Sequence, residues 1–309
     1  MPPIHSLFAA ATLILACASQ TSAQGPVFAS RSELVVLSAT AVDKKGRPVT
    51  DLKQQELRIL EEGRPQPIVN FAEGRDVPAR ILLLVDASGS MDNRLKISSA
   101  RMAVIQVLYA LAPEDQVALA GFDNEYWGVV GWTTDKKKIE SGFDSLKAFG
   151  STALHDALDH SARDLAAHGE GRRAIVVITD GQDTASKATP DSVIARSRAL
   201  DVPIYSLSVV SPLDDPESNR YVGRERVSAS DAGNALLQRY ADLSGGAAFV
   251  VSDFAGLKKA AELVATEIKH QYRLAYEPPD GPASFRQVQV KSTRKGIQIR
   301  TRSGYVPAS

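Results

Sequence analysis

From residue 80 onward, apolar runs alternate with helical spacings. Residues 81–85, Ile-Leu-Leu-Leu-Val, are uninterrupted by any polar group. Such a run suits a strand covered on both faces, as in the middle of a parallel sheet. Ile97, Ala100, Val104, Ile105, Leu108 and Leu111 then recur at helical spacing, and Pro113 ends the helix. A strand follows at 116–122, with a second at 126–132 joined by a short turn as an antiparallel edge. Thr134 is the expected cap of a short helix through Ile139, Phe143 and Leu146. Leu154, Ala157, Leu158, Ala162 and Leu165 mark the next helix, ended by Gly169.

Residues 174–179 read as another buried strand, and Thr189-Pro190 as a helix start with a hydroxyl cap. A strand at 203–210 and a helix from Ser230-Asp231 to Gly245-Gly246 come next. A strand at 247–251 and a helix capped by Asp253, through Leu257, Ala261, Val264 and Ile268, complete the series. This alternation predicts an α/β fold: a doubly wound, mostly parallel six-stranded sheet with helices on both faces.

The flanks read differently. Strands are expected at 34–42, 57–60 and 66–71, the last at an edge because of its prolines, with turns at 43–48 and 61–64. Strands return at 272–276, 285–290 and 297–301. Neither β segment has a helix to lean on, and each needs a cover. The simplest arrangement buries them together, as a small discontinuous β domain from residues 24–77 and 272–309, with residues 78–271 inserted as the α/β domain.

Residues 7–18 form an apolar run too short to span a bilayer, and Thr21-Ser22-Ala23 offers a small-residue cleavage site. Residues 1–23 are therefore expected to be a signal peptide. The destination is then periplasmic, cell-envelope or extracellular, with no transmembrane segment in the mature chain. The single cysteine, Cys17, lies in Ile14-Leu15-Ala16-Cys17, a loose likeness to a lipid-anchoring box; the preferred reading is one more small residue of the leader. Lysine plus arginine and aspartate plus glutamate both number 36. Zero net charge removes the general electrostatic case for a nucleic-acid partner.

Chemistry gathers where the run 81–85 ends. Asp86, Ser88 and Ser90 stand there as D-x-S-x-S, at the carboxyl edge where open α/β sheets bind ligands. Their hard oxygens suit Mg²⁺, Mn²⁺ or Ca²⁺. Two other loops on that edge carry matching groups: Gly150-Ser151-Thr152, and Thr179-Asp180-Gly181. The plainer alternative is that Asp86, Ser88 and Ser90 only cap the following helix, a role that needs neither Thr152 nor Asp180.

At these positions the chain resembles the von Willebrand factor type A (VWA) family, over roughly residues 79–270. More narrowly, it resembles secreted bacterial VWFA-related proteins of acidobacterial type, through flanking stretches such as Asp43-Lys44-Lys45-Gly46-Arg47-Pro48 and Arg302-Ser303-Gly304-Tyr305. The resemblance implies a Rossmann-like sheet and a metal-ion-dependent adhesion site made of Asp86, Ser88, Ser90, Thr152 and Asp180. It further implies that Ser88, Ser90 and Thr152 bind the cation directly, Mg²⁺ first among the candidates. Asp86 and Asp180 would act through water or by orienting the hydroxyls. A partner protein's Asp or Glu would complete the shell.

The other candidates are weaker. Asp123, Asn124 and Glu125 share the edge and read as a solvated turn or a partner contact; Asp183 reads the same way. His155, His160 and His168 are expected on the surface of one helix, and Trp127 and Trp132 in sheet packing. No phosphate loop and no G-x-S-x-G elbow is present. The polar loop 211–228 offers Tyr221, Arg224 and Arg226 as partner contacts, with disorder as the alternative. The leading expectation is a non-enzymatic, exported protein that binds its partner through a divalent metal. The alternatives are a metal-dependent hydrolase using Asp123 or Asp183 as base, and an envelope protein whose metal only stabilises loops.

Overall fold

The computed structural model describes residues 34–74, 78–92, 94–169, 171–209, 219–222, 225–251 and 253–307. The expected signal segment and Cys17 lie outside them. So do residues 210–218 and Arg224, and the side chains of Tyr221 and Arg226.

Among the described residues the first element is β1 (Val35–Asp43), a single strand where the sequence shows two apolar stretches. A turn at Gly46 leads toward β2 (Leu57–Glu61) and β3 (Arg64–Gln66). The strand expected over 66–71 is broken: β3 ends at Gln66 and β4 runs Asn70–Glu73. Pro67 lies at the break, where its missing N–H ends the ladder. β3 pairs with β2, whereas β4 joins a different sheet. The central region is β5 (Ala79–Asp86), α1 (Arg94–Ala110), β6 (Gln116–Phe122), β7 (Tyr126–Thr133), α2 (Lys136–Phe143) and α3 (Leu154–Ala167). It continues through β8 (Arg172–Thr179), α4 (Pro190–Leu200), β9 (Ile204–Val209), β10 (Asn219–Val222), β11 (Glu225–Ser228), α5 (Ala229–Ser244), β12 (Ala248–Val251) and α6 (Phe254–Lys269). The chain closes with β13 (Tyr272–Tyr276), β14 (Arg286–Ser292), β15 (Ile297–Thr301) and β16 (Gly304–Tyr305).

The six-stranded sheet has the order β12-β9-β8-β5-β6-β7. Five strands are parallel and β7 is the antiparallel edge, as the alternation predicts. One face packs under α1, α2 and α6, with Leu83, Val104, Val176 and Val264 fully buried. The other packs under α3, α4 and α5, with Leu82, Leu158, Val177 and Leu237. Both faces of β5 are thus covered, which is why its sequence shows no alternation.

Local chemistry sets the helix ends. Thr189 caps α4 in a capping box with Ser192, and Asp253 caps α6 by accepting from Gly256 N. The cap of α2 is Asp135 rather than Thr134; its carboxylate accepts from Lys137 N at 3.0 Å, and a charged acceptor suits a helix N-terminus. Residues 219–222 (β10) pair antiparallel with residues 225–228 (β11), inside the stretch read as a polar loop.

The flanking strands form two four-stranded sheets, β15-β1-β13-β4 and β16-β14-β2-β3. Leu37, Ile59, Leu274 and Val290 lie in the core they share. Within it, buried Glu61 accepts from the hydroxyls of Tyr276 and Tyr305 and from Arg286 Nη1. These strands are tied to the central region by Arg302, which donates to Arg198 O and Val36 O, and by Asp201, which accepts from Ser38 N and Oγ.

Candidate metal centre

The winding of the sheet creates the crevice. From β5 the chain leaves toward β6, and from neighbouring β8 it leaves toward β9 on the other side. Loops departing in opposite directions open a gap at the carboxyl ends of β5 and β8. Asp86 ends β5 and Asp180 follows β8.

Asp86 is fully buried. One of its oxygens accepts from Ser88 N at 2.9 Å and the other from the Thr179 hydroxyl at 2.6 Å. Burial, followed by the like charge of Asp180, pushes its carboxyl up to about 6. Its oxygens are committed to shaping the loop, while its charge stays in the crevice at neutral pH. Ser88 is buried and begins a tight turn over Gly89–Met91, but its hydroxyl caps nothing there. That hydroxyl instead lies 3.0 Å from the Ser90 hydroxyl. Ser90 is exposed, so the pair opens to the outside.

The Thr152 loop is laced into this edge by its backbone. Phe149 N donates to Ala87 O at 2.8 Å, and Gly89 N to Gly150 O at 2.9 Å. Ser151 N donates to the Asn124 side chain, and Ala153 N to Asp123 O. Thr152 N donates to the Thr184 hydroxyl at 3.0 Å, and Thr152 O accepts from Thr184 N and Ala185 N. Gly150 has φ +78°, and a Cβ there would strike the Asn124 side chain. Asp123 and Asn124, read as part of a solvated turn, therefore hold the Thr152 loop in place.

Asp180 is also buried; one oxygen accepts from Gln182 N, and the other from Lys96 Nζ at 3.0 Å. Lys96 comes from the first turn of α1 and is itself buried. Nothing in its spacing marks it; only the return of α1 across the crevice brings it to Asp180.

Two other expectations change. His155 is buried rather than on the surface, because the first turn of α3 packs beneath the 180–188 loop and against α5. Its Nδ1 lies 2.9 Å from the Tyr240 hydroxyl and 3.3 Å from Asp183 Oδ2, and burial lowers its pKa. Asp183 is not merely solvated. It accepts from His155 N, and the Ser186 hydroxyl donates to it at 2.6 Å, so it holds the N-terminus of α3 to this loop. A carboxylate so engaged is poorly placed to act as a hydrolytic base. His160 and His168 are exposed; His160 stacks on Tyr126, and His168 packs against Trp132.

The donor chemistry suits a small hard cation. Adjacent ligands on an octahedron with bonds of about 2.1 Å stand about 3.0 Å apart, the separation of the two serine hydroxyls. Among the described residues no three His, Cys, Asp or Glu side chains gather as a metal cage. An ion here would rest on hydroxyls and on charges behind them. Among the described residues, no helix is long and apolar enough to cross a membrane.

Residues 81–182 match the family model of the von Willebrand factor type A domain. The chain is 30% identical over 226 residues to a UPF0353 protein of Mycolicibacterium gilvum (strain PYR-GCK), covering 67% of this chain and 63% of that one. It is 29% identical over 143 residues to human inter-alpha-trypsin inhibitor heavy chain H4, covering 42% of this chain and 15% of that one. The chain thus spans less than two thirds of either relative's length. Among solved structures, a von Willebrand factor type A protein from Catenulispora acidiphila superposes with a TM-score of 0.50 at 14% identity, over 78% of this chain and 74% of that one. That likeness speaks for the fold.

Proposed function

We propose that this protein, which carries a von Willebrand factor type A domain, is an exported, non-enzymatic binding protein that holds a partner through a divalent cation. The observation that carries the proposal is the pair of serine hydroxyls 3.0 Å apart at an open crevice, backed by the buried charge of Asp86. Mg²⁺ is the favoured ion, with Mn²⁺ or Ca²⁺ as substitutes.

In this reading Ser88, Ser90 and Thr152 hold the cation directly. Asp86 fixes Ser88 through its backbone N–H, and Asp180 supplies charge from the β8 side. Neutral direct ligands leave the bound ion electrophilic toward an outside oxygen. An Asp or Glu of a protein partner fits that role, since its carboxylate is both hard and anionic. Export rests on the leader read in residues 1–23.

The test is calorimetric titration of metal-stripped protein with Mg²⁺ and Mn²⁺, with and without acetate, beside Ser88→Ala. Saturable binding lost in the variant supports the reading, as does chelator-sensitive retention of a partner from envelope extract. No binding at millimolar metal, even with acetate, refutes it.

A further inference from the structure

We infer that Lys96 is a built-in countercharge that keeps the cation weakly held until a carboxylate arrives, so that metal and partner bind cooperatively. The inference rests on the metal reading above and specifies its regulation.

The effect is one of charge buried at the floor of the crevice. Asp86, Asp180 and Lys96 are all buried, at 0%, 4% and 4% exposure. Lys96 Nζ donates to Asp180 Oδ2 at 3.0 Å. Two carboxylates and one ammonium sum to one negative charge. A divalent cation turns that to one positive charge, and a single incoming carboxylate brings it to zero. Without Lys96 the same cation would neutralise the crevice alone, leaving no excess to attract an anion. Ionic interactions in such a site are screened far less than on the surface. Lys96 therefore weakens the metal's hold and strengthens the demand for a carboxylate. By linkage, whatever factor the carboxylate adds to metal affinity, the metal adds to carboxylate affinity.

The placement of Lys96 also argues against an accidental contact. A buried lysine costs several kcal/mol of solvation, recovered only through well-placed partners. Lys96 lies in the helical turn that directly follows the D-x-S-x-S loop, and it faces the carboxylate of the adjacent strand loop. The ion pair with Asp180 offsets part of that cost and fixes the ammonium at the crevice.

The experiment titrates Mn²⁺ into full-length wild type, Lys96→Met, Lys96→Gln and Lys96→Arg, each with and without 100 mM acetate as the carboxylate probe (about the scale of a weak anion). Circular dichroism confirms folding. Lys96→Met and Lys96→Gln are expected to bind Mn²⁺ about tenfold or more tightly without acetate. Acetate should sharpen Mn²⁺ binding in wild type and Lys96→Arg, and do so much less in the two neutral variants. Equal or weaker Mn²⁺ binding in folded neutral variants overturns the role of Lys96 while leaving the metal site standing. Failure of all four proteins to bind Mn²⁺ overturns both.

Discussion

Replacing Asp86 by Asn isolates the cost of holding a charge in the crevice. Asp86 is fully buried, and burial together with Asp180 moves its carboxyl from 3.8 to about 6. At about 1.4 kcal/mol per pH unit the displacement corresponds to roughly 3 kcal/mol. Between these two values the native state binds more protons than the unfolded chain, so stability falls as pH rises through that window. Above about pH 6 the loss is complete. Most of it, about 2 kcal/mol, falls between pH 4 and pH 7. The substituted amide does not titrate, can still accept from Ser88 N, and removes the repulsion with Asp180. The difference in unfolding free energy between wild type and Asp86→Asn should therefore shift by about 2 kcal/mol in the variant's favour between pH 4 and pH 7. Urea unfolding in chelator, followed by circular dichroism at four pH values, measures it. Comparing the two proteins cancels other titrating groups, including His155, whose lowered pKa gives the opposite slope. Adding Mg²⁺ at pH 7 should stabilise wild type, by about 2.7 kcal/mol at a hundredfold excess over Kd, and leave the variant unmoved. Parallel pH curves for the two proteins would falsify the buried-charge argument.

Four further outcomes are expected. Ser88→Ala should lower Mg²⁺ affinity at least about tenfold and cost about 1 kcal/mol of stability, since its hydroxyl meets both that of Ser90 and the buried Asp86 carboxylate; calorimetry and a thermal scan separate the two effects. Phe149→Ser should leave Mn²⁺ affinity within about twofold yet reduce chelator-sensitive capture of the partner, because this side chain is 77% exposed beside the Thr152 loop; unchanged capture would remove Phe149 from the interface. Gly233→Ala should destabilise by about 1–3 kcal/mol and weaken metal binding, because its Cβ would meet the Gly181 backbone at 2.9 Å and push α5 from the Asp180 loop; urea midpoints and Mn²⁺ titration test both. Arg286→Met should cost about 3–5 kcal/mol by leaving Glu61 buried without its ion pair, and a wild-type melting profile would contradict it.

Much of this protein is decided within short stretches of chain. The uncut apolar run of β5 demands cover on both faces, and its neighbours in the sheet supply it. Thr189-Pro190 and Asp253 start their helices through their own side chains. The five oxygen-bearing residues expected to form the metal site stand out in the sequence because each lies at or beside the end of a strand or the start of a helix. What only the tertiary structure decides are meetings between distant stretches. Lys96 reaches Asp180 across 84 positions, and His155 reaches Tyr240 across 85. Both are polar residues on helices whose local pattern is equally satisfied by solvent; the packing of α1 and α3 against the loop edge buries them. Likewise, Asp183 and Asn124 read as turn residues, because a turn residue's local bonds look the same whether or not it also holds a neighbouring loop. Hydrophobic periodicity determines which face of an element is buried, whereas the order of winding determines which loops meet, and the crevice depends on both.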